Sequence, residues 1–170
     1  MAKGFSLIEL LATLSIVSIT AMIGLPITNK FVEKQKVTAD VYTMIRMVNL
    51  TRSEAIKSKQ TVSLCGLTTN NDCQRDWQQV GVINQEQLKS SASEPLHQAR
   101  VTANYSSIKW SSFQRSAKLS FGASGFSMHL NGSLYLCHAK YPELNKAIKI
   151  SKSGKASVIS ADKFSADRCS

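Results

Sequence analysis

Glu9 is a single carboxylate within a long apolar stretch near the start of the chain. The stretch runs from Phe5 to Leu25 and is followed by Pro26, so it has the length of a membrane-spanning helix, about 20 mostly apolar residues. A charge inside such a helix costs about 2.5 to 3.5 kcal/mol on insertion scales, so Glu9 needs a positively charged partner. Cleavage after Gly4 would supply one, because the new amine at Phe5 would lie four residues before Glu9.

A second group of charged residues surrounds a predicted hairpin near residue 150. Apolar Ile148 and Ile150 alternate with polar neighbours, which predicts a strand, and Ser153-Gly154 predicts a tight turn after it. The lysines on or beside this hairpin are Lys146, Lys149, Lys152 and Lys155. A basic hairpin tip can bind a phosphate backbone through charge, which gives salt-sensitive binding without sequence preference. The alternative is a solvated strand edge whose lysines prevent incorrect strand pairing.

The cysteines of the chain form an even set, Cys65, Cys73, Cys137 and Cys169. In a chain whose apolar start indicates export, such a set predicts disulfides, and four cysteines allow three pairings. Proximity favours Cys65 with Cys73 and Cys137 with Cys169, and closing the longer loop would stabilise the fold by about 3 kcal/mol. A metal site is disfavoured, because the sequence has no Cys-x-x-Cys and only His138 adjoins a cysteine.

Composition limits the class of function. The formal net charge of the 170-residue chain is +10, and it falls to +9 if Lys3 is lost with a leader. A strongly basic balance favours nucleic acid, acidic surfaces and anionic lipid as partners. His97, His129 and His138 are scattered, and no nucleophile-elbow, Walker or zinc-protease motif occurs. The sequence therefore predicts a protein that is not an enzyme and that needs no cofactor and no metal.

An amphipathic helix is predicted after Pro26, continuing to about Lys57. Its apolar stripe has spacings of three and four residues and contains Phe31, Val37, Val41, Met44, Ile45, Val48, Ala55 and Ile56. The charged residues are predicted to lie largely off this stripe, and they are Lys30, Glu33, Lys34, Lys36, Asp40, Arg46 and Arg52. The first half of the whole helix would face lipid or other subunits, and the second half its own domain.

Short strands dominate the remainder of the chain. They are predicted at Ile108 to Trp110, Lys118 to Phe121, Phe126 to Leu130, Ser133 to Cys137, Ala147 to Ser151 and Ala156 to Ile159. Asn131-Gly132 predicts a hairpin between the third and fourth of these strands. Residues 84–107 form a long connection with a short strand at Arg100 to Ala103. The predicted fold class is α+β, a long N-terminal helix packed on an antiparallel sheet domain.

Three segments carry a family resemblance. Lys3-Gly4-Phe5-Ser6-Leu7-Ile8-Glu9-Leu10, with Pro26 beyond it, resembles the processing site of type IV prepilins and of type II secretion pseudopilins. The helix end Arg52-Ser53-Glu54-Ala55-Ile56, running into Thr61-Val62-Ser63-Leu64-Cys65, is similar to the FimT and FimU minor pilins and their secretion relative GspH. Cys73-Gln74-Arg75-Asp76-Trp77 and Val80-Gly81-Val82-Ile83 also fit this group. The similarity is clear over residues 1–83 and returns near residue 117.

The resemblance implies a type IV pilin-like fold and a processing step. A prepilin peptidase would cut between Gly4 and Phe5 and methylate the new amine, and Glu9 would pair with the amine of a neighbouring subunit. The implied organisation is a leader at 1–4, a transmembrane and assembly helix at 5–25 that is closed by Pro26, an amphipathic helix at 26–58 and a β-rich head at 59–170.

The resemblance also implies a function and partners. The expected protein is a minor pilin, held in the bacterial inner membrane with its head in the periplasm and then incorporated into a pilus whose assembly it helps to initiate. Its partners would be other minor and major pilins, the prepilin peptidase, the inner-membrane assembly platform and membrane lipid. The alternative is a GspH-type minor pseudopilin of type II protein secretion.

Double-stranded DNA is a further candidate partner, taken up during natural transformation. FimT proteins that bind DNA carry Gly-Arg-x-Arg at the turn that corresponds to Gly154-Lys155-Ala156-Ser157. One basic position is therefore kept as lysine and the other is a serine. Lysine binds phosphate as a point charge, without the forked geometry of arginine.

Overall fold

The computed structural model describes residues 6–84, 94–128 and 131–169, and for residues 23–27 and 166 it describes the backbone alone. The chain divides into two compact units, residues 1–35 and residues 36–170. The predicted cleavage site at Gly4 and Phe5 lies outside the described residues, as does His129. The side chain of Pro26 is also outside them.

The first element is a helix, α1, at Leu7–Ser58. In its first turns the large apolar side chains are exposed, from Leu7 at 75% to Met22 at 78%. The hydroxyl groups among them donate hydrogen bonds of 2.8 to 3.0 Å to helix carbonyls three or four residues earlier, at Thr13, Ser15, Ser18 and Thr20. Among the residues that the structure describes, no helix contains a stretch with the length and apolarity needed to cross a bilayer.

The part of α1 within the second unit buries one face. Val37, Met44 and Val48 are buried as the stripe predicts, and so are Val41 and Ala55. The prediction is wrong at both ends, because Phe31 is 60% exposed and Ile56 is 47% exposed.

The buried face also contains residues that the predicted stripe did not include. Met47 and Thr51 are buried, and so is Asp40, which is 2% exposed although it was predicted to face solvent. Asp40 lies three residues after Val37, so the helical period places its carboxylate on the buried face. A charge is tolerated there because the head supplies hydrogen-bond donors to it.

The described residues of the head form two antiparallel sheets. Sheet A contains β1 (Val62–Leu67), β2 (Cys73–Gln74), β3 (Gln79–Asn84), β4 (His97–Arg100) and β6 (Lys118–Phe121), in the order β2-β1-β3-β4 with β6 also paired to β1. Sheet B contains β5 (Tyr105–Ser112), β7 (Gly132–His138), β8 (Lys146–Ile150) and β9 (Ala156–Ser160), in the order β5-β7-β8-β9. Three short 3-10 helices follow later strands, at Pro142–Leu144, Ala161–Lys163 and Ala166–Cys169.

One hydrophobic core joins the buried face of α1 to both sheets. It contains Met44 and Val48 from the helix, Leu64 from sheet A, and Leu134 and Ile148 from sheet B. Sheet A has a smaller cluster on its other face, formed by Cys65, Leu67 and Ile83 with the half-buried Cys73. The arrangement confirms the predicted α+β class, with two sheets where a single sheet domain was expected.

The Asn131-Gly132 hairpin is a wrong prediction. Gly132 pairs with Ser112 of β5 on one side and with Ile150 of β8 on the other, so both edges of β7 are occupied. The predicted strand at Phe126 to Leu130 extends beyond the described residues at 129–130, and its described part does not pair with β7 but forms an isolated bridge from Ser127 to Phe121 of β6. The predicted short strand at Arg100 to Ala103 lies earlier, at His97–Arg100.

Two disulfides tie the head together. Cys65 pairs with Cys73 and Cys137 pairs with Cys169, and each pair has Cα atoms 5.5 Å apart. This is the pairing that proximity in sequence favours. The second disulfide holds the last 3-10 helix against β7, where Arg168 lies 5.9 Å from the ring centre of Tyr135.

Candidate functional site: a basic hairpin tip

Strands β8 and β9 form the hairpin that the sequence predicts, and its register separates the lysines between two faces. Lys149 lies opposite Ser157 and is exposed on the face of sheet B away from the core. Lys146 has the same strand parity as Ile148, which is fully buried, so Lys146 lies on the other face and is half-buried. The hairpin therefore does not present all its lysines on one surface.

The turn itself is closed by hydrogen bonds among its own residues. The Ser151 N–H donates to the Lys155 carbonyl at 3.0 Å, and the Gly154 N–H donates to the Ser151 carbonyl at 2.9 Å. The Lys155 N–H donates to Ser151 Oγ at 3.1 Å. Gly154 has a φ of +79°, a backbone conformation that residues with a Cβ rarely adopt. Lys152 and Lys155 flank this fixed turn with their side chains exposed.

A neighbouring loop holds the turn against the head. The Ser127 N–H and Ser127 Oγ donate to the Lys152 carbonyl at 2.9 and 3.2 Å. The Lys152 backbone is thereby fixed while its ammonium group faces solvent. Backbone hydrogen bonds thus fix the turn that carries these lysines, and Lys149, Lys152 and Lys155 form no ion pair within the described residues, so their charges stay available to a ligand.

Arg52 of α1 supports the tip from below, and sequence reasoning missed this role. A Cβ placed on Gly154 would lie 3.1 Å from Arg52 Cδ, and one placed on Gly125 would lie 3.2 Å from Arg52 Nε. The Nε atom is buried and has no hydrogen-bond partner among the described residues. Arg52 therefore acts here mainly as a spacer between two loops. Its position four residues after Val48 and three before Ala55 is the signal that places it on the buried stripe.

The geometry suits electrostatic contact with an extended anion. Lys149, Lys152 and Lys155 are exposed and are separated by serines, and residues 146–160 contain no acidic side chain. Such a ridge can follow a phosphate backbone without reading bases. For the described part of the chain, no group of three or more histidine, cysteine or carboxylate side chains is placed to hold a metal ion.

Glu9, the other predicted functional residue, lies in the first turn of α1. The structure leaves its side chain exposed, and its backbone N–H donates to the Ser6 carbonyl at 3.0 Å. The large side chains around it are apolar and also exposed, so Glu9 is a charge on an apolar surface whose exposure to water is unfavourable.

The chain is similar to proteins of known family and structure. The family described as type II transport protein GspH matches residues 42–154. A crystal structure of the type IV minor pilin FimU from Pseudomonas aeruginosa has a TM-score of 0.58 and 17% identity, covering 80% of this chain and 97% of FimU. A second crystal form of FimU gives a TM-score of 0.53 at 16% identity, covering 76% and 97%. No curated protein sequence matches the chain. At these identities the likeness to FimU shows a shared fold.

Proposed function

The chain belongs to the GspH family, and from this membership we propose that it is a minor pilin, incorporated into a type IV pilus whose assembly it helps to initiate. Membership confirms the family resemblance expected from the sequence, and the FimU-like fold supports a pilus role. The observation that carries the proposal is the exposed apolar surface of α1 between Leu7 and Met22. Such a surface needs to be covered by lipid or by other subunits.

The polar groups of that surface are arranged for an apolar environment. Every hydroxyl at Thr13, Ser15, Ser18 and Thr20 is hydrogen-bonded to its own helix, so none requires water. The carboxylate of Glu9 is different, because no positively charged side chain of the described residues pairs with it. A partner amine at the processed terminus of a neighbouring subunit would do so, and Glu9 would then fix the register of the subunit in the filament.

Replacing Glu9 tests this role. Glu9→Ala is expected to be processed normally but to enter pili at least tenfold less than the unchanged protein. The change leaves the apolar surface of the helix intact and removes only the charge that would pair with a neighbouring subunit. The measurement is the amount of mature subunit in sheared pili relative to cells. Glu9→Asp keeps the charge and serves as the matched control. Normal incorporation of Glu9→Ala would exclude the pairing.

Cleavage is tested separately at Gly4. Gly4→Leu is expected to leave the leader attached, because the proposed peptidase requires a small residue before the cut. A size shift on gels and the mass of the intact protein measure this. A product of mature mass from Gly4→Leu would place the cleavage elsewhere. The peptidase, other pilins, the assembly platform and lipid are the partners that this route requires, with the subunit passing from the inner membrane to the pilus.

DNA binding is a second proposed function, supported by the exposed ridge of Lys149, Lys152 and Lys155. A gel shift with double-stranded DNA at low salt tests it with the full chain in detergent. Changing the three lysines to glutamate should abolish retardation. A control with Lys59, Lys140 and Lys163 changed to glutamate alters net charge equally at other exposed positions. Equal loss in both variants would show that net charge alone attracts the DNA.

A role in type II protein secretion is the alternative that the family description favours. Deletion of the gene distinguishes the two roles. Loss of pili with intact secretion supports the pilus assignment, and loss of secreted enzymes with intact pili supports the pseudopilin assignment.

A further inference from the structure

A cleft on the head, whose lining contains none of the hairpin lysines, combines two arginines with two tryptophans. Its volume is about 190 Å³, and it is lined by Arg75, Trp77, Trp110, Ser111 and Arg115, among others. We infer that this tryptophan cleft binds a carboxylate or phosphate group attached to a ring-shaped carrier. The inference goes beyond the proposed assembly and DNA-binding roles and does not depend on them.

The charged side chains that line the cleft are both positive. Arg75 and Arg115 are both exposed, and neither side chain has a hydrogen bond or ion pair within the described residues. Among the described residues no acidic side chain lines this cavity, and Asp76 lines the adjoining one. Guanidinium groups bind carboxylates and phosphates through paired N–H donors, which makes a cleft with two of them selective for oxyanions. Ser111, exposed at the rim, adds a hydroxyl donor.

The wall that carries Arg75 is rigid. Arg75 follows Cys73 of the first disulfide by two residues and precedes the fully buried Trp77 by two. The Trp77 N–H donates to the Ile108 carbonyl at 3.3 Å, and the Asp76 carbonyl packs so closely on Gly66 that a Cβ there has no room. The guanidinium of Arg75 therefore extends from a fixed backbone.

The opposite wall is the loop between β5 and β6. Arg115 has φ of +54°, an uncommon conformation for a residue with a side chain. The loop keeps it there through the Arg115 N–H, which donates to the Ser112 carbonyl at 3.1 Å, and the Ser116 N–H, which donates to Ser112 Oγ at 3.2 Å. Residues held in sparsely populated conformations concentrate at ligand sites.

The tryptophan rings and the adjoining cavity determine which kind of group can carry the bound anion. Trp77 and Trp110 stack with ring centres 5.8 Å apart, and Trp110 is partly exposed, so a flat or ring-shaped group can pack on it. A second cavity of about 480 Å³ adjoins the first and shares Arg75 and Trp110 with it. The smaller cavity therefore takes the anion, and the larger one has room for the ring.

The tryptophans also supply the assay. The chain has two tryptophans, and both line the cleft, so each 19F resonance of protein labelled with 5-fluorotryptophan reports on it. The full chain with intact disulfides, in detergent, is titrated with glucuronate and with thymidine 5′-monophosphate. Glucose and thymidine are the neutral counterparts. We expect saturable shifts with at least one acid and affinity at least tenfold weaker for its neutral counterpart, and the acid that binds more tightly identifies carboxylate or phosphate as the preferred group.

Variants separate this site from non-specific attraction. Arg75→Gln and Arg115→Gln should each weaken binding about tenfold or more, because each removes charge-assisted hydrogen bonds. The 19F spectrum without ligand verifies that the variants are folded. Changing Lys59, Lys140 and Lys163 to glutamine removes more charge at exposed positions outside the cleft and should leave binding unchanged. The inference would be overturned by equal shifts with the neutral compounds or by no shift with either acid. It would also be overturned by unweakened binding to a variant that carries both Arg75→Gln and Arg115→Gln.

Discussion

Two carboxylates on the same helix lie in opposite environments. Asp40 is buried in the head and accepts hydrogen bonds of 2.8 to 3.0 Å from the Thr102 N–H, the Thr102 hydroxyl and the Ala103 N–H. Glu9 is exposed on an apolar surface. The charge of Asp40 is part of the fold, because its own chain supplies hydrogen-bond donors to it, whereas we propose that the exposed charge of Glu9 serves assembly. Residue type alone gives no warning of this difference, whereas the helical period places Asp40 on the buried face, three residues after Val37.

The largest expected effect contrasts the two carboxylates directly. Asp40→Ala should lower the free energy of unfolding of the head by about 3 kcal/mol, because it leaves the buried N–H groups of Thr102 and Ala103 without an acceptor. Glu9→Ala should change it by less than about 0.5 kcal/mol, as expected for an exposed residue. Urea titrations followed by near-ultraviolet circular dichroism measure both. Equal losses of unfolding free energy in the two variants would contradict the proposed difference between Asp40 and Glu9.

A smaller effect is expected when the charge of Asp40 is removed but its shape is kept. Asp40→Asn retains one oxygen acceptor and turns an amide group toward a backbone donor, so we expect a loss of about 1 to 2 kcal/mol. The same titration checks it. A loss as large as that of Asp40→Ala would show that the whole contribution of the site comes from the charge.

Next in size is the loss of a single partner of Asp40. Thr102→Val removes the hydroxyl bond of 3.0 Å and keeps both backbone bonds, so a loss of about 1 kcal/mol is expected. Added to Asp40→Ala, the same change should cost almost nothing further, since the two groups share one interaction. Additive losses in the double variant would mean that Thr102 stabilises the loop independently.

The smallest effect is expected in the first half of α1. Thr13→Val and Thr20→Val remove hydroxyls that bond only to their own helix, so unfolding of the head should change by less than about 0.5 kcal/mol. Incorporation into pili should also be unchanged, in contrast to Glu9→Ala. Reduced incorporation of these variants would show that the hydroxyls contact neighbouring subunits.

Local patterns predicted much of the fold. Apolar spacing identified five of the buried residues of α1, which are Val37, Val41, Met44, Val48 and Ala55, and Ser153-Gly154 located the β8–β9 turn. The failures arise from partners distant in sequence. Asp40 and Arg52 were assigned to solvent because their charge outweighed their position on the stripe. The groups that donate hydrogen bonds to Asp40 and the glycines that pack beside Arg52 lie in loops and turns of the head.

Strand pairing shows the same limit. Asn131-Gly132 has the composition of a hairpin turn, yet β7 is a central strand whose two edges are filled by β5 and β8. The residue types at 131–132 allow a tight turn, but the arrangement of strands in the sheet determines which strands pair. For the candidate site, the lysines of the hairpin were predicted, but their division between two faces of the sheet depends on register. The tryptophan cleft brings together segments from both sheets and has no local signal.

The stacked Trp77 and Trp110 also have a consequence for how the head folds. Trp77 lies two residues before β3 of sheet A, and Trp110 belongs to β5 of sheet B, so the stacked indoles report contact between the two sheets. Stacked indoles give a coupled circular dichroism signal that isolated strands lack. The appearance of that signal during refolding would time the closure of the two sheets, and its coincidence with far-ultraviolet ellipticity would show that the head folds in one cooperative step.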